Sequence, residues 1–311
     1  MQKYGVIDLG TNTFHLLIVS FNIDHTFEVI HRERIFVKLA EEGIDTIAAA
    51  PFKRGLEALA HFKSILERHQ VLEVRAFGTA ALRTASNTDQ FKSEIKAKTN
   101  IDIKVIPGEE EARLIYQGVQ QVVSFEKGNS LIMDIGGGSV EFILANQKGV
   151  IWSASFPIGV AVLTRKFHKS DPISKSEINQ LWKHLDKRLE PLQKVLSLHN
   201  VNKLIGASGT FDVLESILSK DDNLSVSTSQ PGNTLTSSFP SENFTPLYNK
   251  LLRTTLSERL AINNIPDSRA EMIITALMLI QYILELSNAS EIIVSSYAMK
   301  EGMLQDMRIN S

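Results

Sequence analysis

The strongest constraint in this chain is a pattern that occurs twice. Val6-Ile7-Asp8-Leu9-Gly10-Thr11-Asn12-Thr13 and Ile132-Met133-Asp134-Ile135-Gly136-Gly137-Gly138-Ser139 each run from an apolar strand through an aspartate into a small polar turn. A second β-branched or aromatic run follows each turn, Phe14 to Phe21 in one case and Val140 to Asn146 in the other. Both copies therefore read as strand, turn and strand. Two such copies in one chain predict a duplicated fold with one hairpin of this kind in each domain.

Length and periodicity agree. At 311 residues the chain exceeds the size at which one hydrophobic core stops growing, so two domains are expected. In the first half, strands are expected at Tyr4 to Asp8, Phe14 to Phe21, Phe27 to Phe36, Val74 to Gly78 and Ile103 to Ile106. Leu56, Leu59, Phe62, Ile65 and Leu66 recur at helical spacing and predict a helix from about Phe52 to His69. Further helices are expected over Asp89 to Lys98 and from Glu109 to about Val123. The second half opens with strands at Ser130 to Asp134, Val140 to Asn146 and Val150 to Phe156, with shorter ones at Lys203 to Gly206 and Glu291 to Val294. Helices are expected over Ser174 to Leu196, Thr210 to Leu218, Phe244 to Leu260 and Ser268 to Leu286. The class is α/β. The expected boundaries are 1–123 for an N-terminal domain and 124–311 for a C-terminal one, with the closing helix, about 298–311, a candidate to return to the first domain. Lys220 to Pro240, rich in Ser, Thr, Asn and Pro, reads as a long loop, a passive insertion rather than a lid.

Composition excludes several function classes. With no cysteine there is no disulfide framework, thiolate zinc site or cysteine nucleophile, which fits a cytoplasmic protein. The N-terminus reaches Asp8 too soon for a signal peptide. The most apolar window, Met272 to Leu284, is interrupted by Gln281 and falls short of the ~20 residues a membrane crossing needs, so it reads as a buried helix. A formal net charge of −2 gives no support to DNA binding. A polyanion would have to use a local basic cluster: Arg32 with Arg34, Lys53 with Arg54, Arg165 with Lys166 and Lys169, or Lys183 with Lys187 and Arg188. Taken singly, each reads as a solvated face.

The chemistry lies at strand ends. Gly136, Gly137, Gly138 and Ser139 remove side chains where a phosphate would approach the backbone, so amide N–H groups can point at its oxygens. Asp134 before that turn and Glu141 after it offer two hard oxygen ligands, the set that suits Mg²⁺ with substrate oxygens and water. Thr11 and Asn12 supply short donors on the equivalent first turn, although both residue types are also ordinary turn formers. His15, inside a strand, reads as structural. Arg83 stands just past a strand end, where a planar fork can hold phosphate in bidentate fashion. Glu109, Glu110 and Glu111 open a helix, where the dipole alone favours acids. One of them, aimed inward, could orient and deprotonate water. Gly206-Ala207-Ser208-Gly209-Thr210 is a further strand-to-helix turn, with Ser208 and Gly209 placed to offer donors at a helix start.

Five such elements, in order and over nearly the whole chain, resemble the exopolyphosphatase and guanosine pentaphosphate phosphohydrolase (Ppx/GppA) family. The resemblance rests on Ile7 to His15, Thr79 to Arg83, Gly108 to Leu114, Asp134 to Glu141, Gly206 to Thr210 and an altered Ile293 to Gly302, in which Lys300 stands where an arginine commonly precedes the Glu-Gly pair. It implies a duplicated ribonuclease H-like fold of the actin, sugar kinase and heat-shock ATPase superfamily, with an interdomain cleft. It also implies that Glu111 activates the attacking water and that Asp134 and Glu141 serve Mg²⁺. Thr11, Asn12, Arg83 and the Gly136-to-Ser139 loop would hold phosphate. Some family members carry a further helical domain; this chain resembles the short two-domain form, which gives less support to processive action on very long polyphosphate.

The expected function is removal of the terminal phosphate from inorganic polyphosphate by Mg²⁺-assisted water attack. Alternatives are a guanosine pentaphosphate or other nucleotide phosphatase, and a binding regulator without turnover. A kinase is disfavoured because no acceptor pocket is indicated. Substrate rank, chain-length preference and oligomeric state, a homodimer included, stay open at this stage.

Overall fold

A computed structural model describes residues 2–23, 26–125, 128–207, 209–219, 227–228 and 235–309. It separates into two compact units. The first comprises Met1–Gly118, Gly136–Gly138 and Met299–Ser311, and the second Val119–Ile135 and Ser139–Ala298.

The first unit holds a five-stranded sheet of β1 (Lys3–Leu9), β2 (Thr13–Phe21), β3 (Phe27–Phe36), β4 (Glu73–Gly78) and β5 (Ile103–Val105), in the order β3-β2-β1-β4-β5. β1 pairs antiparallel with β2 and parallel with β4. One face of the sheet is apolar because strand side chains alternate: Ile7, Leu9, Phe14, Leu16 and Ile18 join the core. The helix Ala49–Arg68 covers that face with Ala58, Leu59, Phe62, Ile65 and Leu66, which fall on one side at helical spacing. Gly55 of this helix lets the Phe91 ring of the helix Thr88–Thr99 come close, since a Cβ there would meet the ring at 2.6 Å. The closing helix, Met299–Ile309, lies in the same unit and packs on β1.

The second unit repeats the plan. Its sheet is built of β6 (Asn129–Ile135), β7 (Val140–Asn146), β8 (Gly149–Phe156), β9 (Val201–Gly206), β10 (Ser227–Thr228), β11 (Thr236–Pro240) and β12 (Glu291–Ser295), in the order β10-β11-β12-β9-β6-β7-β8. As in the first unit, three antiparallel strands (β8-β7-β6) continue into parallel pairs, β6 with β9 and β9 with β12. The apolar window is the helix Ile273–Ser287, thirteen of whose residues are buried. That explains its hydropathy, and no helix among the described residues is long and apolar enough to cross a membrane.

Several expected elements differ. The helix expected from Ser174 to Leu196 is two, Lys175–Arg188 and Glu190–Leu198. Pro191 lacks the N–H that a continuous helix would need there, and sits instead in the first turn of the second helix. The expected Phe244 to Leu260 helix breaks into Phe244–Leu251 and Leu256–Leu260, because Thr255 and Glu258 form a capping box that starts a new helix. The expected Ser268 to Leu286 helix likewise divides into Asp267–Ala270 and Ile273–Ser287, with a tighter turn from Met272 N–H to the Arg269 carbonyl between them. Part of the expected Lys220 to Pro240 loop is strand β11, antiparallel to β12. Thr236, Ser237 and Ser238 look like loop residues, but all three are buried, so the sheet imposes a conformation that their composition does not announce. Residues 220–226 and 229–234 of that loop lie outside the described residues.

Candidate active site

In the first unit, β1 delivers Asp8 to the end of the sheet and the chain reverses at once. Gly10 N–H donates to the Thr13 carbonyl at 3.1 Å, and a Cβ on Gly10 would come within 2.9 Å of that oxygen. The turn is tied down from outside: Leu39 N–H donates to the Thr11 carbonyl at 2.7 Å, and Val37 and Lys38 both donate to the Asn12 carbonyl at 2.9 Å. With its backbone fixed, Thr11 holds a buried hydroxyl, 3% exposed as a residue, whose oxygen has no hydrogen-bond partner in the protein. An orphaned buried polar group is costly and signals a missing ligand. Gly136, Gly137 and Gly138 group with this unit. A Cβ on Gly138 would meet Thr11 Oγ1 at 2.6 Å, and one on Gly137 would meet the Asn12 side chain at 2.7 Å. Side chains there would fill the space beside both donors, so the glycines keep it open.

The acid triplet is sorted by the helix Gly108–Val119. Glu109 points to solvent. Glu110 takes both Nε and Nη2 of Arg113 at 2.7 Å, which holds its carboxyl below the usual range, and Arg113 also bonds Asp306 at 3.0 Å. Glu111 alone turns inward, 8% exposed. Burial pushes its pKa up, and the charge and hydrogen bond of Arg83 oppose that rise. Arg83 Nη1 lies 2.5 Å from Glu111 Oε2 and 3.1 Å from the Ile106 carbonyl, so the arginine and the inward acid are built as one group.

Two residues at the end of the chain complete this environment. Glu301, 0% exposed, lies 3.2 Å from Lys300 Nζ and 3.8 Å from Arg32 Nη2. Asp8 is lifted to about 7, first by burial and then by the negative charge of Glu111, while Lys300 pulls it down and Glu301 adds to the rise. An acid that titrates near neutrality inside a cluster of charged groups is a feature of functional sites. Sequence reading did not assign Asp8, Lys300 or Glu301 a role, since the last two meet Asp8 only through the return of the final helix.

In the second unit, the β6–β7 ladder sets Asp134 directly opposite Glu141. Partners across an antiparallel pair share a face, with Cβ atoms about 5 Å apart. Glu141 is 1% exposed and its Oε1 accepts from both Ser139 Oγ and Ser155 Oγ at 2.6 Å. The Ser139 hydroxyl thus orients a carboxylate. Ser155 is a contributor that sequence reading missed, although its place opposite Glu141 on β8 would follow from the register. Two adjacent carboxylates fit a hard divalent cation that keeps water and phosphate oxygens as its other ligands. They do not make an all-protein cage: among the described residues no three His, Cys, Asp or Glu side chains gather to hold a metal. Gly209 opens the helix Gly209–Leu218, and a Cβ on it would overlap the Arg269 guanidinium. Arg269 was also missed. Ser208 lies outside the described residues.

Comparison with known proteins gives a consistent set of matches. The model of the Ppx/GppA phosphatase family matches residues 18–310. A predicted exopolyphosphatase of Haemophilus influenzae is 26% identical over 313 residues, spanning 100% of this chain and 93% of the relative. A guanosine-5'-triphosphate,3'-diphosphate pyrophosphatase of Aeromonas hydrophila is 31% identical over 218 residues, which is 69% of this chain but 43% of that protein. Among solved structures, an exopolyphosphatase from Cytophaga hutchinsonii superposes with a TM-score of 0.92 at 38% identity, covering 99% of this chain and 98% of the other. An Aquifex aeolicus member of the Ppx/GppA family, 22% identical, has a TM-score of 0.80 over 99% of this chain and 98% of its own, and supports the fold.

Proposed function

Because the chain belongs to the Ppx/GppA phosphatase family, we propose that it hydrolyses the terminal phosphoanhydride of inorganic polyphosphate in the cytoplasm. The observation that carries this reading is the 38% identity to a solved exopolyphosphatase over nearly the full length of both chains. Guanosine pentaphosphate is the second reading, favoured by the pyrophosphatase match, although the chain spans less than half of that relative.

The terminal phosphate would lie against the Gly136–Gly138 backbone, with the Thr11 hydroxyl and the Asn12 amide as donors. The Thr11 oxygen, buried without a partner, supports this placement. Arg83 would bring its guanidinium charge to the phosphate while Nη1 stays on Glu111. Glu111 would accept the proton of the attacking water. Burial raises its basicity, and the charge and hydrogen bond of Arg83 oppose that rise. Asp134 and Glu141 would hold Mg²⁺, with Ser139 and Ser155 fixing the Glu141 carboxylate. Bound there, the ion would neutralise charge that develops on phosphate oxygens. Catalysis on this scheme is mostly positioning and electrostatics. Gly209 would add a donor at a helix start.

The test is phosphate release from long-chain polyphosphate, tripolyphosphate and guanosine pentaphosphate, each with Mg²⁺ and with chelator. Metal-dependent release from a polyphosphate is the expected result. Release from guanosine pentaphosphate alone would replace the first reading by the second.

A further inference from the structure

Of the basic clusters in the chain, one is placed on the site's own face. Lys53 pairs with Glu57 at 3.7 Å, and Arg54 is engaged by Glu41 at 2.6 Å and the Val37 carbonyl at 2.9 Å. Lys169 bonds the Arg165 carbonyl, Lys166 lies over Phe167, and Lys183, Lys187 and Arg188 are exposed along a helix of the second unit. Arg32 and Arg34 differ. The register of the first sheet sets Asp8 opposite His15 and His15 opposite Arg34, and one row along it sets Val6 opposite Leu17 and Leu17 opposite Arg32. Partners in a ladder share a face, so both arginines stand on the Asp8 side and not on the core side.

The side chains agree with the register. Arg32, half exposed, reaches toward the closing helix, where its Nη2 lies 3.8 Å from the buried Glu301 that also contacts Lys300. Lys300 in turn acts on Asp8. Arg34 is exposed and rests its guanidinium over Phe36, 5.7 Å from the ring centroid, which steadies the stem without using the donors. β3 is an edge strand, so nothing in its sheet lies beyond it. Two strand spacings separate Asp8 from Arg34, about 10 Å between backbones. A single phosphate at the Thr11 turn does not span that distance. A phosphoanhydride chain of several units does.

We infer that Arg34 and Arg32 form a subsite for the phosphates trailing behind the one being cleaved, so that this chain selects linear phosphoanhydride chains by length. The inference rests on the hydrolytic reading above and names the substrate feature that the site measures. Planar guanidinium groups suit this task because each can take two oxygens of a passing phosphate. Exposed charges also make it sensitive to salt.

The experiment compares Arg34→Glu, Arg34→Ala and Arg34→Lys with the unaltered chain on long-chain polyphosphate, tripolyphosphate and guanosine pentaphosphate, at low and high salt. It is paired with calorimetric titration of long-chain polyphosphate. For Arg34→Glu the ratio of kcat/KM on long-chain polyphosphate to that on tripolyphosphate is expected to fall about tenfold at low salt. The loss should sit in KM, and binding of the long chain should weaken in parallel. Arg34→Ala should lie between, and Arg34→Lys should recover only part of the ratio, since lysine keeps the charge and loses the fork. Arg32→Ala should act in the same direction, with its thermal unfolding recorded because it also touches Glu301. An unchanged ratio together with unchanged titration overturns the subsite while leaving the hydrolase reading intact. A loss confined to guanosine pentaphosphate overturns the linear-chain assignment. If the unaltered chain hydrolyses none of the three but binds long polyphosphate through Arg34, the hydrolase reading falls and the subsite stands.

Discussion

The two hairpins that begin the two units are copies in plan and opposites in chemistry. In each, an aspartate sits one residue before the strand end, facing a partner across an antiparallel ladder before a glycine-containing turn. In the first the partner is His15, and Asp8 is raised to about 7 among Glu111, Lys300 and Glu301. In the second the partner is Glu141, braced by two serine hydroxyls. One backbone plan thus carries an acid of raised pKa amid mixed charges and a pair of acids suited to a cation. Duplication supplies the geometry, and the residue opposite the aspartate determines what each copy can bind.

The sharpest test of this division is in the first unit. Glu111→Gln should lower turnover by about 10²- to 10⁴-fold, with substrate binding kept. Glu110→Gln should stay near the unaltered rate, since Glu110 is engaged by Arg113 on the outer side. Steady-state kinetics on both variants checks this, and the reverse ranking would move the base by one residue.

Next in size, Asp134→Asn or Glu141→Gln should raise the Mg²⁺ concentration needed for half-maximal activity by about 100-fold. Asp8→Asn should leave that concentration within a few fold. A metal titration of the three variants would erase the contrast between the hairpins if all shifted alike.

Asp8→Asn should instead alter stability. A carboxyl held at about 7 in the folded chain and 3.8 when unfolded binds more protons folded, so stability falls as pH rises between those values. The variant should lose that fall and gain of the order of 2 kcal/mol over the unaltered chain at pH 8 relative to pH 5. Urea denaturation at the two pH values reads it, and parallel curves would mean Asp8 is ionised throughout.

The smallest effect belongs to Ser155→Ala. Removing one of the two hydroxyls on Glu141 Oε1 should weaken metal affinity about tenfold, with kcat at saturating metal little changed.

How far these contrasts were legible beforehand varies by residue. The paired hairpins could be read because strand alternation and turn residues are local, and the Asp134–Glu141 opposition follows once both strands are counted from the turn. The inward acid of the triplet was identified only through family resemblance, since a helix start rewards any acid and the facing depends on what the helix packs against. Lys300 and Glu301 were beyond local reading, because they reach Asp8 only when the closing helix returns to β1. Arg269 over Gly209 is of the same kind. Strand β11 was lost because Thr236, Ser237 and Ser238 carry a loop's composition, and Pro191 was passed over inside an otherwise helical pattern.

The return of that helix also sets an order of events during synthesis. Gly302 sits so close to the Leu114 carbonyl that any Cβ would overlap it, so the helix Met299–Ile309 docks by direct backbone approach against a helix made nearly 200 residues earlier. A ribosome releases the whole second unit before this helix emerges. Until it does, the nascent first unit holds Asp8 without the Lys300 ammonium beside it and leaves one side of β1 uncovered. Residues 299–309 therefore finish the unit that was begun first, and a chain stalled before them has made all of the second unit and left the first unfinished.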